Sequence, residues 1–276
     1  MVYFYSNFIF FVFFCKIIQI LFTKRLFMNI IGNKIIELEE INSTNDYAAA
    51  LLLNDKQPDG TIVLAQHQSH GKGQGKNIWE SAKGKNLLMS VVLNQLNLKA
   101  TDQFFISEMT AISIVSAIKE LYEIDLIIKW PNDIYFNNKK IGGILIRNSI
   151  GEGIIKHSII GIGININQEE FPEYIPNPSS LSLILQRKLD KEAIFYSLIQ
   201  TLNDNYLRLL SSDFEYFKKE FEKNLIGFNK EMQFIDNKGK SFEAIILGVK
   251  ESGELLIKIR NEIKSFSHGE IKLVLN

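Results

Sequence analysis

Four short segments hold the residue types that could work on a phosphate or an activated acyl group. The first, Gln68-Ser69-His70-Gly71-Lys72-Gly73-Gln74-Gly75-Lys76-Asn77-Ile78-Trp79, places glycine at 71, 73 and 75. Such a backbone approaches a ligand closely and can turn its N–H groups inward, while the lysines supply charge for a phosphate. It is not a Walker A loop, because His70 stands where the first glycine belongs and Asn77 where Ser or Thr would hold Mg2+. It is not a dinucleotide fingerprint either, because the third glycine would fall on Lys76. An anion cradle and a plain surface loop both stay open. The second segment is Lys129-Trp130-Pro131-Asn132-Asp133, where Pro131 interrupts strand pairing and three functional side chains project together. Its bland reading is a surface Lys–Asp pair. The third, Lys139-Lys140-Ile141-Gly142-Gly143-Ile144-Leu145, carries paired glycines in an apolar strand, a mark of ligand approach or of a β-bulge beside a basic turn. The fourth, Gly161-Ile162-Gly163-Ile164-Asn165, poses the same choice, with Asn165 meeting a nucleotide or closing a turn.

Other chemistries find less support. His67 and His70 have i, i+3 spacing but no third ligand nearby, and His157 and His268 stand alone and read as structural. The single cysteine, Cys15, permits no internal disulfide and no thiolate zinc cluster, and there is no Gly-x-Ser-x-Gly elbow. Covalent catalysis therefore lacks a nucleophile. Lys+Arg and Asp+Glu are both 31, giving zero formal charge. That balance argues against a protein that coats DNA or RNA phosphates, which needs a clustered basic excess, though not against a local nucleotide site.

These segments need a scaffold, and the chain alternates strand and helix patterns from Lys34 onward. Strands are expected at 34–41, 61–66, 86–93, 126–130, 134–136, 140–147 and 154–166, with Asn137-Asn138 turning a hairpin. Ser43-Thr44-Asn45-Asp46 opens a helix to Leu53 with capping-box spacing. A second helix is expected at 101–122 from Phe105, Met109, Ile112, Val115 and Ile118. Pro172, Pro176 and Pro178 break up a loop, and a long helical stretch follows at 190–224. After Gly227 come five short strands, at 231–235, 241–249, 254–259, 263–267 and 271–275, separated by turn residues, which suggests a small barrel. The expected layout is a mixed α/β domain at 29–225 and a β-barrel at 226–276. Residues 1–28 differ: 2–22 are almost wholly apolar, near the ~20 residues that span a bilayer, and Lys24-Arg25 follow. A membrane anchor and a start at Met28 compete; the second is preferred, and with it a cytoplasmic, reduced location.

In this order and spacing, the four segments resemble the catalytic domain of the biotin–protein ligases. Lys129–Asp133 matches that family's Lys-Trp-Pro-Asn-Asp motif without change, Ser43-Thr44-Asn45 resembles the start of its biotin pocket, and 71–79 resembles its glycine-arginine adenylate loop. The resemblance runs over about 34–276 and implies an α+β fold, a class II synthetase-like mixed sheet with flanking helices and a C-terminal SH3-like barrel. The loop departs from the family at Lys72 and Gln74, where two arginines are usual, and at Lys76, with the last glycine displaced to Gly75. Lysine keeps charge but loses the bidentate fork, and glutamine loses both. Some members carry an N-terminal DNA-binding domain and act as repressors. About a dozen residues separate Met28 from Ser43, so no repressor role and no nucleic-acid partner are expected.

The resemblance further implies an ATP-dependent reaction with Mg2+: biotin becomes biotinyl-5′-AMP, and the biotinyl group passes to a lysine of a biotin carboxyl carrier protein domain. Lys140 and Lys129 would be catalytic. Ser43, Thr44, Asn45, Gln68, Lys72, Gly73, Gln74, Gly142 and Gly143 would bind biotin or its adenylate, and Trp79, Asn132 and Asn165 the nucleotide. Asp133 would orient the acceptor amine, and no protein cluster would hold the metal directly. A homodimer is permitted. A lipoate–protein ligase of related fold and a non-catalytic small-molecule-binding module are the alternatives.

Overall fold

The computed structural model describes residues 30–54, 57–94 and 96–275, so the expectations for the apolar leader lie outside the described residues. Seven strands form one mixed sheet: β1 (Ile35–Leu38), β2 (Thr61–Ala65), β3 (Leu87–Leu93), β4 (Ile127–Lys129), β5 (Asp133–Phe136), β6 (Lys139–Gly151) and β7 (Ile154–Ile164). Their order is β1-β2-β3-β7-β6-β5-β4. Only β1 and β2 run parallel. The helices are α1 (Thr44–Asn54), α2 (Phe104–Tyr122), α3 (Leu181–Leu185), α4 (Lys191–Leu210) and α5 (Phe214–Asn224).

Strand alternation sends residues to two different cores. Val63, Val92 and Ile159 meet Ala48 of α1 on one face, while Ile62, Val91 and Ile160 join the residues of α2, α4 and α5 in the larger core on the other. Every residue of β3 is buried, as a central strand covered on both sides requires. The α1 side is covered only in part, and the site lies on the uncovered portion.

The elements fall where the patterns place them, with four differences. The stretch 190–224 is two helices, because the chain turns at Ser211-Ser212-Asp213 with Ser212 in the left-handed region (φ 59°). A short helix, α3, follows the proline loop, with Ser180 accepting from Leu183 N–H at 3.4 Å. The second long helix starts at Phe104, after a 3-10 turn at Ala100–Asp102. Finally, β6 runs on to Gly151 and turns through Glu152-Gly153 into β7, both with positive φ. The Asn137 turn between β5 and β6 forms as expected (φ 51°).

The C-terminal strands β8 (Glu231–Asp236), β9 (Ser241–Val249), β10 (Leu255–Ile259), β11 (Glu262–Phe266) and β12 (Ile271–Leu273) make an antiparallel sheet ordered β11-β10-β9-β8-β12. Strand number and pairing fit the expected small barrel. Phe234, Ile246, Leu255 and Ile257 share one buried cluster with α2 and α5. Phe104 N–H donates to Glu251 O at 3.2 Å, and the Phe104 and Phe221 rings meet edge to face at 5.5 Å.

One acid is buried at this junction. Glu108 of α2 is 4 % exposed, and its Oε2 has no hydrogen-bond partner. Burial pushes its carboxyl up to about 8, with Glu222 of α5 and Glu251 of the 250–254 turn acting the same way and Lys218 opposing. In the unfolded chain the group ionises near 4.5. Between those values the folded state holds the extra proton, so stability falls as pH rises across that window. Glu108→Gln should therefore raise the melting temperature at pH 8, by an amount worth on the order of 4 kcal/mol, and the gain should vanish towards pH 4.5. Melting curves at both pH values check this; an equal gain at both would refute it.

Candidate active site

Backbone geometry places the candidate residues. Lys129 and Asp133 are register partners at the two sides of the β4–β5 turn, and the Trp130–Pro131 peptide within it is cis. Asn132 fixes the turn to β6: its Nδ2 donates to Ile144 O at 2.6 Å and its carbonyl accepts from Ile144 N–H at 2.9 Å. Next to it, β5 and β6 pair Asp133 with Gly143 and Ile134 with Gly142, then slip, so that Tyr135 pairs with Lys140. Ile141 is the extra residue. Without this bulge, Lys140 and Gly143 would point to opposite faces; with it, both join Asp133 on one face. The bulge reading of this segment is thus the one the strand register shows.

Glycines keep that face open. Gly143 pairs with Gly163 across β6 and β7, and the Trp79 ring lies over both. A Cβ on Gly163 would stand 2.6 Å from Trp79 Cε2, and one on Gly161 would stand 2.6 Å from Asn45 Nδ2. The start of α1 is pinned there by buried polar groups. Asn45 Nδ2 donates to Leu145 O at 3.1 Å, and Ser90 Oγ stands 2.8 Å from Thr44 Oγ1 and 2.9 Å from Asn45 Oδ1. Gln68 Oε1 accepts from Thr44 N–H at 2.7 Å and from its hydroxyl at 3.0 Å. Such networks hold one geometry because breaking any link strands a buried polar atom.

The glycine-lysine loop is a small hairpin. Gly73 N–H donates to Asn77 O at 2.8 Å and Trp79 N–H to Gly71 O at 2.9 Å, bringing Lys72 opposite Ile78. Gly71 is required by close contact, since a Cβ there would collide with Trp79 O.

Together these parts enclose a cavity of about 200 Å³ bordered by Ser43, Thr44, Asn45, Gln68, Lys72 and the Lys129–Asp133 turn. A roomier cavity of about 810 Å³ adjoins it, sharing Trp79, Lys129 and Lys140. Positive charge gathers between them. Lys140 Nζ is 2.6 Å from Asp133 Oδ1 and 5.7 Å from the centre of the Trp79 ring. Burial pushes the Lys129 ammonium down; Lys140 and Lys272 add to that effect and Asp133 opposes it. A lysine so placed is short of negative charge. No three His, Cys, Asp or Glu side chains gather to hold a metal among the described residues.

The structure therefore brings most of the expected residues to one place. Ser43, Thr44, Asn45, Gln68, Lys72, Gly73, Gln74, Trp79, Lys129, Asn132, Asp133, Lys140 and Gly143 all border the smaller cavity. Gly142 does not, because strand alternation turns it to the other face, where a Cβ would meet Gly163 O at 2.9 Å. Asn165 borders the larger cavity; its Nδ2 donates to Ser179 O at 3.0 Å and its buried Oδ1 lacks a partner. Sequence reading passed over four contributors. His268 and Lys272 of the C-terminal sheet border both cavities, so His268 is not an isolated structural residue. Phe171 and Tyr174 of the proline loop border the larger one. Only the aromatic residues set among the prolines offered a signal for that wall.

Comparison with known proteins agrees with this geometry. The sequence profile of the Biotin/lipoate A/B protein ligase family matches residues 37–165. The bifunctional ligase/repressor BirA of Bacillus subtilis is 31% identical over 248 residues, spanning 88% of this chain and 75% of its own length. The BirA of Escherichia coli is 27% identical over 264 residues, spanning 93% of this chain and 79% of its own. The biotin protein ligase of Aquifex aeolicus, solved in complex with biotin and ATP, superposes with a TM-score of 0.73 at 26% identity, covering 88% of this chain and 100% of that one. With that likeness running through both sheets, the chain belongs to the biotin–protein ligases of the biotin/lipoate ligase family.

Proposed function

We infer that the chain activates biotin with ATP as biotinyl-5′-AMP and passes the biotinyl group to a lysine of a carrier protein. The observation that carries this is the pairing of a polar pocket at the start of α1 with an adjoining lysine-rich cavity, in a family whose Aquifex aeolicus member was solved with biotin and ATP. The relatives named above favour biotin over lipoate, and two joined cavities suit a two-substrate ligase better than a binding module.

Biotin lies in the smaller cavity, its ring against Ser43, Thr44, Asn45 and Gln68 and its carboxylate towards Lys140. The nucleotide occupies the larger cavity, its base near Trp79, Phe171 and Tyr174 and its phosphates near Lys129 and Lys272. A carboxylate oxygen attacks the α-phosphorus, the bond to the bridging oxygen breaks, and pyrophosphate leaves. Chemistry of this kind rests on alignment and on neutralising negative charge. Lys140 spans the two substrates, and Lys129 takes the charge that builds on the phosphate. Mg2+ would enter with ATP and neutralise charge on its phosphates, and among the described residues no three His, Cys, Asp or Glu side chains gather to hold it directly. The 71–79 hairpin closes over the mixed anhydride and keeps water out. The carrier lysine then attacks the acyl carbon, AMP departs, and Asp133 is placed to orient the incoming amine. On this reading the catalytic domain is 29–225 and the C-terminal barrel 226–276, with His268 and Lys272 at the rim.

Mixed with biotin and ATP labelled at the α-phosphate, the chain should form labelled biotinyl-5′-AMP, and no adenylate should form with lipoate. Lys140→Ala should lower that rate on the order of 10²–10³-fold with little change in melting temperature. A wild-type rate in this variant would remove Lys140 from the mechanism.

The lowered Lys129 adds a pH test. Because its ammonium deprotonates below the ordinary lysine range in the free protein, ATP affinity should begin to fall at a lower pH than an ordinary lysine would allow. Lys129→Met should bind ATP more weakly and lose that limb of the profile. Titration calorimetry from pH 7 to 10 reads it, and an unchanged profile in the variant would count against the assignment.

A further inference from the structure

Asp46 has no part in the mechanism above, and its expected task was to close a capping box with Ser43. Only half of that box forms: Ser43 Oγ accepts from Asp46 N–H at 3.4 Å. The carboxylate is directed to two cations from separate elements. Its Oδ2 is 2.7 Å from Lys72 Nζ of the hairpin, and its Oδ1 is 2.8 Å from Arg147 Nη1 of β6. Burial pushes the Asp46 carboxyl up, but the hydrogen bonds and charges of Lys72 and Arg147 outweigh that and hold it below its ordinary value.

All three side chains are partly exposed, at 46% for Lys72 and 38% for Asp46 and Arg147, so these pairs contribute little to stability. Their value is geometric. Lys72 is the hairpin lysine that borders the smaller cavity; Lys76 does not border it, and Gln74 brings no charge there. Asp46 follows directly on Ser43, Thr44 and Asn45, so the pair ties the hairpin to the α1 wall of the pocket. Arg147 lies beyond Gly143 and Leu145 on the same face of β6, outside the cavity lining. When Lys72 moves towards a phosphate, a lone carboxylate would be left near that phosphate at a Coulombic cost. Arg147 keeps the carboxylate compensated.

We propose that Asp46 is a positioning residue of the ligase reaction, holding the Lys72 ammonium at the cavity rim while Arg147 balances its charge as Lys72 engages the adenylate phosphate. The proposal rests on the reading that Lys72 closes over biotinyl-5′-AMP.

The experiment measures the lifetime of biotinyl-5′-AMP formed on the full chain and chased with unlabelled biotin, together with amide exchange of residues 71–79 in the unliganded chain. Asp46→Asn should shorten the lifetime about two- to fivefold, the range an exposed ion pair supplies. It should also speed hairpin exchange and leave the Kd for biotin alone unchanged. Asp46→Glu should restore part of the lifetime. Combining Asp46→Asn with Lys72→Met should cost no more than Lys72→Met alone, because the two act through one contact. Arg147→Met should shorten the lifetime without speeding exchange in the free hairpin, which supplies a test independent of changes at position 46. Wild-type lifetime and exchange in Asp46→Asn, with a shortened lifetime in Lys72→Met, would overturn the positioning role alone. Additive losses in the double variant would overturn it as well. A wild-type lifetime in Lys72→Met would overturn the reading of Lys72 itself, and the positioning role with it.

Discussion

Asn45 and Trp79 lie directly on the backbone of β7, so close that neither Gly161 nor Gly163 has room for a Cβ. That contact sets the dimensions of the site. Because Asn45 can reach the sheet, the first turn of α1 is pinned to Leu145 and Ser90, and Ser43 and Thr44 are held at the edge of the pocket. Because Trp79 can lie flat over Gly143 and Gly163, the hairpin that precedes it is anchored at its C-terminal end, and Lys72 is carried above the cavity. A methyl group at either β7 glycine would lift one of these walls. The glycines serve as the low floor on which both walls rest.

Charge is arranged around this floor with the same economy. Lys129, Lys140 and Lys272 approach one another from β4, β6 and β12, and Asp133 supplies the acidic counterpart. Their crowding opposes protonation of half-buried Lys129, which a triphosphate would reverse. Repulsion held in place by the fold before a ligand arrives becomes attraction when it binds, with no rearrangement needed to create it.

How much of this was legible in the sequence depends on range. Lys129–Asp133 was readable because the motif is five contiguous residues, and the Asn137 turn was readable because Asn tolerates the positive φ that a tight turn needs. The β6 glycines were readable as a feature but not in direction: which of Gly142 and Gly143 faces the ligand depends on the bulge at Ile141, and so on pairing with β5. The helical stretch 190–224 gave no sign of its break, since Ser211-Ser212-Asp213 interrupts the apolar spacing by less than one turn. His268 and Lys272 were not legible as site residues because more than 130 residues separate them from Lys129. Only docking of the C-terminal sheet brings them near. Asp46 was read as a cap because capping is local, while Arg147 lies 101 positions away.

The docking of the C-terminal sheet also bears on the Lys-Trp-Pro-Asn-Asp turn. Trp130 Nε1 donates to Gly253 O at 2.9 Å, and its ring centre lies 6.2 Å from that of His268. Asn132 binds the same turn to β6 on its other side. A turn held from one side only would leave Lys129 and Asp133 free to drift by the fractions of an ångström that phosphate alignment does not tolerate. Held from both sides, it keeps the spacing between Asp133 and Lys140. The C-terminal sheet thus bears on the site twice, through Lys272 at the cavity rim and through the rigidity of a turn that it touches at Trp130.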